Sequence, residues 1–281
     1  MGNADAPGAA SPANAPHRPR KRFGQNFLVD RSVIDRIVRS IDPQPLDRMI
    51  EIGPGHGALT RALLDRLPQL DVIEIDRDLA AELVREHDPQ RLHVHVGDAL
   101  KFDFATMGKR LRVVGNLPYN ISSPLLFHLL GYADAIVDIH VMLQKEVVDR
   151  MVAKPGSADY GRLTVMLGQR FEIERLLRVP AGAFRPQPKV ESAFARLRPR
   201  AVSPWHLDDS ELFARVVTLA FGQRRKTLRN ALAPLVDESV LQSAGIDPQA
   251  RGETLSIGEF ATLSNAIRTA RGNEPDFLAG R

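Results

Sequence analysis

The segment NLPY, residues 116–119, follows the apolar run RVVG and places two oxygen acceptors beside an aromatic ring. The side-chain amide oxygen of Asn116 and the backbone carbonyl of Leu117, held by Pro118, can each accept a hydrogen bond from an amino group. The ring of Tyr119 can stack on a flat base. The lone pair of an adenine amine is delocalised into its ring, so two acceptors on its hydrogens would favour a more reactive, pyramidal nitrogen. The segment could also be an ordinary turn, and the neighbouring motifs decide between the two.

A second motif, EIGPGHGALT at 51–60, spaces three glycines at alternate positions between a predicted strand and a predicted helix. Glycines such as Gly53 allow a sharp turn and a close approach of the backbone to a ligand. Glu74 ends the next predicted strand about 20 residues on, where an acid can bind ribose hydroxyls. Dinucleotide enzymes and plain turns use similar glycine patterns, so this motif alone leaves the ligand open.

Asp98 follows a third predicted strand, LHVHV, and could accept a hydrogen bond from an adenine amino group. Ligands of open α/β sheets bind along the carboxyl ends of the strands, where Gly53, Glu74 and Asp98 would meet. The sequence contains no phosphate loop with a Lys-Ser or Lys-Thr pair. Adenine and ribose without phosphates favour S-adenosylmethionine as co-substrate. Its sulfonium activates the methyl group, so neither a strong general base nor a metal is expected.

The elements that would position these residues alternate between helix and strand from about residue 30 to 145. RSVIDRIVRSI at 31–41 has helical periodicity, with Asp30 or Ser32 as its cap. RMIEIG, DVIEID, LHVHV, RVVGN and DIHVML are short, apolar strands, separated by helical runs such as LTRALLDRL and LAAELVREH. This alternation predicts an α/β fold with a parallel, doubly wound sheet. EIERLLRVP and SAFARLRP predict two more strands, joined by a Pro-rich loop.

The chain is predicted to contain two domains and two tails. Residues 1–19 are rich in Ala, Pro, Gly and Asn and predict a disordered tail. Residues 20–203 form the predicted catalytic domain, residues 204–271 a small domain with helical periodicity throughout, and residues 272–281 a second tail. Trp205, the single tryptophan, is expected to pack at the domain junction.

Composition narrows the classes of function. The 281 residues include no cysteine, which excludes disulfides, thiolate metal sites and a cysteine nucleophile, and suits a reducing cytoplasm. No apolar stretch is long enough to cross a bilayer, so a soluble protein is expected. The net charge is +4, and basic residues cluster at 17–25 and 222–230, which are either phosphate-binding or solvated surfaces. His93 and His95 share a strand face, but with no third ligand at suitable spacing they are interpreted as a surface or core pair.

Five segments together resemble the ribosomal RNA adenine N6,N6-dimethyltransferase family: KRFGQNFLVD, EIGPGHGALT, NLPYNISSPLL, FRPQPKVES and FGQRRKTLRN. They span residues 21–230. The resemblance implies a class I, Rossmann-like methyltransferase sheet that uses S-adenosylmethionine, followed by a small all-helical C-terminal domain. It also implies that Asn26 and Leu28 close over the cofactor, with Asn116 beside it. Gly53 would approach the methionine part, Glu74 the ribose and Asp98 the adenine.

The resemblance implies that Asn116, Leu117 and Pro118 hold the target base while Tyr119 stacks on it. Phe184, in FRPQPKVES, would cover the other face of the base. Methyl groups would pass to N6 of two adjacent adenosines in the hairpin loop near the 3′ end of 16S rRNA, within the immature small ribosomal subunit. A monomeric, cytoplasmic enzyme without membrane contact is expected. The RNA contacts expected from this resemblance are four basic residues: Arg224, Arg225, Lys226 and Arg229.

Three alternatives stay open from the sequence. A relative could dimethylate an adenosine of large-subunit rRNA, although QRRKTLRN and the short C-terminal helices favour the small subunit. A mitochondrial transcription-factor relative uses the same fold to bind nucleic acid, although the intact glycine turn and NLPY favour catalysis. A nucleotide-linked oxidoreductase would explain the glycine turn but not NLPY. Departures from the family pattern are small: SSP replaces STP after NLPYNI, and Gly222 stands where Asn is usual.

Overall fold

The computed structural model describes residues 25–272. The predicted tails at 1–19 and 272–281, apart from Gly272, lie outside the described residues, as does most of the basic run at 17–25. The first described elements are the short strand β1 (Phe27–Leu28) and helix α1 (Arg31–Ile41). Helix α1 begins as predicted, because the Asp30 carboxylate accepts the amide hydrogens of Ser32 and Val33 at 2.9 and 3.2 Å.

Seven strands form the main sheet. They are β2 (Arg48–Ile52), β3 (Leu70–Glu74), β4 (Leu92–Val96), β5 (Leu111–Asn116), β6 (Ile136–Gln144), β7 (Phe171–Val179) and β9 (Ser192–Pro199). Their order is β4-β3-β2-β5-β6-β9-β7. The first five pair in parallel, and β9 runs antiparallel to both β6 and β7. All seven strands lie where the sequence predicted them.

Helices cover the sheet and then continue beyond it. The helices between strands are α2 (Ala58–Leu64), α3 (Arg77–Glu86), α4 (Ser122–Leu130), α5 (Lys145–Met151) and α6 (Arg162–Arg170). The C-terminal helices are α7 (Ser210–Gly222), α8 (Leu228–Leu232), α9 (Glu238–Ser243) and α10 (Ile257–Ala270). The sequence predicted α1 to α3 and the four C-terminal helices, whereas α4 to α6 were not assigned from it.

A short ribbon lies apart from the main sheet. Strand β1 pairs antiparallel with β8 (Phe184–Arg185), and Leu28 is opposite Phe184. Both side chains are buried in one hydrophobic cluster with the apolar face of α1. The ribbon therefore ties the segment before α1 to the FRPQPKVES motif.

The C-terminal helices share a core with the end of the catalytic domain. Their apolar cluster includes Tyr160, just before α6, and Val165, within α6. A Cβ placed on Gly168 of α6 would lie 2.8 Å from the side chain of Ile257 in α10, so the two helices are in close contact. Trp205 packs against the same cluster, which confirms its predicted packing role.

An ionic and backbone bracket reinforces this junction. Arg224 Nη2 donates to the carbonyl of Ala158 at 2.8 Å and lies 3.3 Å from the carboxylate of Glu253. The Gly156 amide donates to the Glu253 carbonyl at 2.7 Å. We call these four residues the junction bracket. The boundary at 203–204 stays a prediction, and the described contacts join the two parts rather than separate them.

Candidate active site

A cleft of about 960 Å³, open to solvent, lies at the carboxyl ends of β2, β3, β4 and β5. The strand connections diverge between β2 and β5, and this is where open α/β sheets bind ligands. Nine residues predicted from the sequence line it: Asn26, Leu28, Gly53, Glu74, Asp98, Asn116, Leu117, Pro118 and Tyr119. The structure therefore brings the predicted nucleoside and target-base residues into one cleft.

The glycine turn lies between β2 and α2, at the strand-to-helix connection where it was predicted. Gly53 and Gly55 have φ values of 69° and 60°, in the left-handed region that side chains rarely adopt. A Cβ on Gly55 would lie 2.8 Å from the Phe27 ring. The ring of His56 lies 4.4 Å from that of Phe27, centroid to centroid. The missing side chain at Gly55 is thus what allows the segment 25–28 to lie over the cleft.

Glu74 and Asp98 offer carboxylates to the cleft from neighbouring strand ends. Glu74 is buried, and it accepts the amide hydrogens of Asp76 at 2.8 Å and Gly55 at 3.2 Å. Burial raises the pKa of Glu74, and these backbone hydrogen bonds oppose the shift. Asp98 Oδ1 accepts from the Leu100 amide at 3.0 Å. Both carboxylates are therefore held by backbone groups, and each can accept further hydrogen bonds.

Glu51 is a cleft residue that the sequence analysis did not single out. It is 2% exposed and accepts a hydrogen bond from Thr60 Oγ1 at 2.6 Å. Burial raises its pKa to about 7, partly offset by the Thr60 hydroxyl. An acid among the buried apolar residues of β2 was the signal that could have identified it.

The NLPY segment follows β5 and lines the cleft. Asn116 Nδ2 donates to the Asn26 carbonyl at 2.8 Å, so the amide group is oriented and its oxygen is left as the acceptor. The Pro118 carbonyl accepts from the Ile121 amide at 3.2 Å and from Ser122 Oγ at 3.1 Å. Among the described residues, none donates to the Leu117 carbonyl. The role of these two oxygens in holding one amino group stays a prediction.

Tyr119 is half-buried, and its hydroxyl lies 2.8 Å from Ser192 Oγ. Burial raises its pKa, and this hydrogen bond opposes the shift. Ser192 is the last residue of FRPQPKVES, and its side chain is fully buried. No role for this serine was predicted from the sequence.

Phe184 lies elsewhere than the resemblance implied. Its side chain is 0% exposed, packs in the cluster that contains Leu28, and does not line the cleft. Pairing of β8 with β1 directs the ring inward, so in this arrangement it cannot cover a base. Its role as a second stacking aromatic stays a prediction that requires the ribbon to move.

The four predicted RNA contacts have different surroundings. Arg224 belongs to the junction bracket, and Arg229 forms an ion pair with Glu238 at 3.4 Å. Arg225 and Lys226 are exposed, and within residues 25–272 neither forms an ion pair. These two cations are therefore the freest of the four to meet phosphates.

The histidine pair on β4 has a carboxylate partner that the sequence analysis did not foresee. Asp71 on β3 is opposite His93, and its Oδ1 lies 2.8 Å from His95 Nε2 and 3.6 Å from His93 Nδ1. The spacing of the histidines in the sequence did not indicate this carboxylate, which comes from the neighbouring strand. Across the described range, however, no group of three or more such side chains has an arrangement that could hold a metal ion.

The strand order, glycine turn and acidic strand ends define the class I methyltransferase fold, which uses S-adenosylmethionine. The family model for ribosomal RNA adenine dimethylase matches residues 16–269. The chain belongs to this family of methyltransferases.

Similar proteins and structures cover most of the chain. "Ribosomal RNA small subunit methyltransferase A" of Laribacter hongkongensis is 59% identical over 251 residues, 89% of this chain and 96% of its own length. The protein of the same name from Thiobacillus denitrificans is 56% identical over 253 residues, 90% of this chain and 99% of its own.

Two solved structures show the same fold. A dimethyladenosine transferase from Plasmodium falciparum has a TM-score of 0.73 at 27% identity, covering 84% of this chain and 95% of its own. The 23S rRNA methyltransferase ErmE has a TM-score of 0.66 at 30% identity, covering 86% and 99%. Within residues 25–272, none of the helices has the length and hydropathy of a membrane span.

Proposed function

We propose that this enzyme transfers methyl groups from S-adenosylmethionine to N6 of two adjacent adenosines in the 3′-terminal hairpin loop of 16S rRNA. One observation carries the proposal. Two oxygen acceptors, to which none of the described residues donates, and an aromatic ring line the same cleft as the carboxylates suited to an adenosine moiety. The site can therefore hold a nucleoside donor and a base acceptor side by side.

The cleft fits S-adenosylmethionine. Gly55 leaves room under the Phe27 ring that a Cβ would fill, and the Glu74 carboxylate is fixed at the end of β3. Glu74 would bind the ribose, Asp98 the adenine and Gly53 the methionine part, with Asn26 and Leu28 above. When bound, the cofactor supplies an electrophilic methyl group, whose bond to sulfur breaks as the bond to adenine N6 forms and a proton leaves that nitrogen.

The chain's own residues orient the acceptor nitrogen. The Asn116 amide oxygen and the Leu117 carbonyl would each accept one N6 hydrogen, which directs the nitrogen lone pair away from the ring plane. Because the Asn116 amide is already held by Asn26, little reorganisation is needed when a base binds. Stacking on Tyr119 would contribute about 1–3 kcal/mol to holding the base. The enzyme's work is then chiefly positioning.

The acceptor is proposed to be a loop adenosine of the small ribosomal subunit. A loop base costs less to unstack than a duplex base, which suits an enzyme that must draw N6 into a cleft. The relatives named for the small subunit support this choice, since they are more than half identical over nearly their full lengths. Arg225 and Lys226 would bind phosphates. We propose a monomer acting in the cytoplasm, because one chain supplies every residue of the site and the substrate is ribosomal RNA.

Labelled methyl transfer tests the proposal. Small subunits that lack the dimethyl mark should accept label from S-adenosylmethionine, and intact large subunits and naked large-subunit rRNA should not. Incorporation only into large-subunit rRNA, or none at all, would refute it. The Tyr119→Ala variant should lose methylation far more than cofactor affinity, and equal losses by calorimetry would contradict the stacking role.

A further inference from the structure

Ser192 occupies a rigid place between two parts of the sheet. It begins β9, where its backbone is opposite Gln144 of β6 on one side and Val179 of β7 on the other. Its side chain is fully buried. A hydroxyl at such a position costs free energy unless it forms a hydrogen bond. Its side-chain partner in the described structure is Tyr119 Oη, at 2.8 Å.

Tyr119 is held less firmly by its own segment. It lies in the connection between β5 and α4, and its half-buried side chain lines the cleft. The phenolic oxygen lies on the Cβ–Cγ axis, so a hydrogen bond at that end fixes the direction in which the ring points. The ring can still turn about that axis, where packing sets its angle. Ser192 therefore fixes the placement of the ring from outside the NLPY segment.

We propose that Ser192 is a positioning residue that holds the Tyr119 ring in place for stacking on the target adenine. The inference rests on the proposed function of Tyr119 in binding the base. Ser192 does not line the cleft, and its buried side chain would act on the base only through Tyr119. An alanine would fill nearly the same space in the sheet, so packing alone does not account for a buried hydroxyl here.

The proposed role differs from a purely structural hydrogen bond in what its loss changes. A structural bond would lower thermal stability and affect both ligands alike. A positioning bond affects the adenine acceptor and leaves S-adenosylmethionine affinity unchanged, because the cofactor residues Glu74 and Asp98 lie on other strands. Loss of one neutral hydrogen bond corresponds to about threefold to tenfold in kcat/KM.

A double-mutant cycle with Ser192→Ala and Tyr119→Phe tests this. Each variant should lower kcat/KM for ribosomal RNA about threefold to tenfold, with cofactor Kd within about twofold of wild type. The double variant should be no worse than either single variant, since both remove the same bond. Ser264→Ala is the matched control, because Ser264 is a buried serine of α10 whose hydroxyl has no hydrogen-bond partner in the described structure.

Three results would overturn the inference. They are wild-type kcat/KM in Ser192→Ala, multiplicative losses in the double variant, or a parallel loss of cofactor affinity. If Ser192→Ala does not fold, Tyr119→Phe removes the same bond from the accessible side and decides alone by its split between kcat/KM and cofactor Kd. The cycle uses whichever ribosomal RNA the wild-type enzyme methylates. A large-subunit preference would therefore refute the proposed function and leave this cycle intact.

Discussion

Replacing Gly115 by alanine should damage the site through the backbone alone. Gly115 is opposite Ile52 in the parallel pair β2–β5, directly before Asn116. A Cβ at Gly115 would lie 2.5 Å from the Ile52 carbonyl oxygen, while ordinary contact begins at 3.4 Å. The two backbones must therefore move apart by about 0.9 Å, from 2.5 to 3.4 Å, at the edge where the site is built. No flexible side chain can absorb that shift.

We expect Gly115→Ala to lower kcat/KM for methyl transfer by about 10²-fold, the usual cost of misplacing a reacting group by about 1 Å. Overpacking should also cost about 1–3 kcal/mol of stability, visible as a melting temperature several degrees lower. The matched control is Gly182→Ala, because Gly182 is exposed, has no atom within 4 Å of an added Cβ and lacks a positive φ. A Gly115→Ala enzyme with the activity and melting temperature of the control would refute the reasoning.

Three further predictions address the cofactor cleft, its buried acid and the RNA surface. Gly55→Ala and its control Gly245→Ala both place a side chain at positive φ, but only at Gly55 would the Cβ meet the Phe27 ring. Only Gly55→Ala should therefore weaken S-adenosylmethionine binding, about tenfold by calorimetry. Equal affinities of the two variants would contradict the close-approach argument. Burial raises the pKa of Glu51 to about 7 from 4.5. At a pH between these two values, Glu51 is protonated in the folded enzyme and ionised in the unfolded chain. Wild-type stability should therefore fall relative to Glu51→Gln as pH rises from 4.5 to 7, by about 3 kcal/mol at most, and parallel denaturation curves at pH 5 and 8 would refute this. Arg225→Ala should reduce the slope of log binding constant against log salt concentration by about 1, whereas Arg224→Ala should mainly lower the melting temperature. Equal slopes for both variants would show that Arg224 binds RNA despite its contacts in the junction bracket.

The sheet was predictable because its signal is local. Strands β2 to β6 are short apolar runs between helical segments, and α1 repeats its buried residues at helical spacing with Asp30 as a cap. Helices α4 to α6 were missed for the same reason. Helix α4 is apolar on most faces, and α5 and α6 are short and meet strands without a break. The antiparallel setting of β9 also depends on pairing that no local pattern encodes.

The candidate site was predictable to the extent that it lies on the carboxyl ends of parallel strands. Three site residues lie at or just after the carboxyl ends of β3, β4 and β5: Glu74, Asp98 and Asn116. The topology of the parallel sheet therefore brings them to the same edge. The sequence could not reveal that Ser192 reaches Tyr119, because 73 residues separate the two partners. It likewise could not show that the exposed Arg224 side chain lies beside Glu253.

The junction bracket and the shared core around Tyr160 make the helical region a fixed extension of the catalytic domain. If RNA binds to Arg225 and Lys226, the protein between them and Asn116 sets a span that the RNA must cover. An RNA bound at that outer surface can place in the cleft only nucleotides whose distance along the folded strand matches this span. The enzyme would thus select its adenosines by their distance along the RNA from the phosphates bound at that surface. The identity of the neighbouring bases would not be needed.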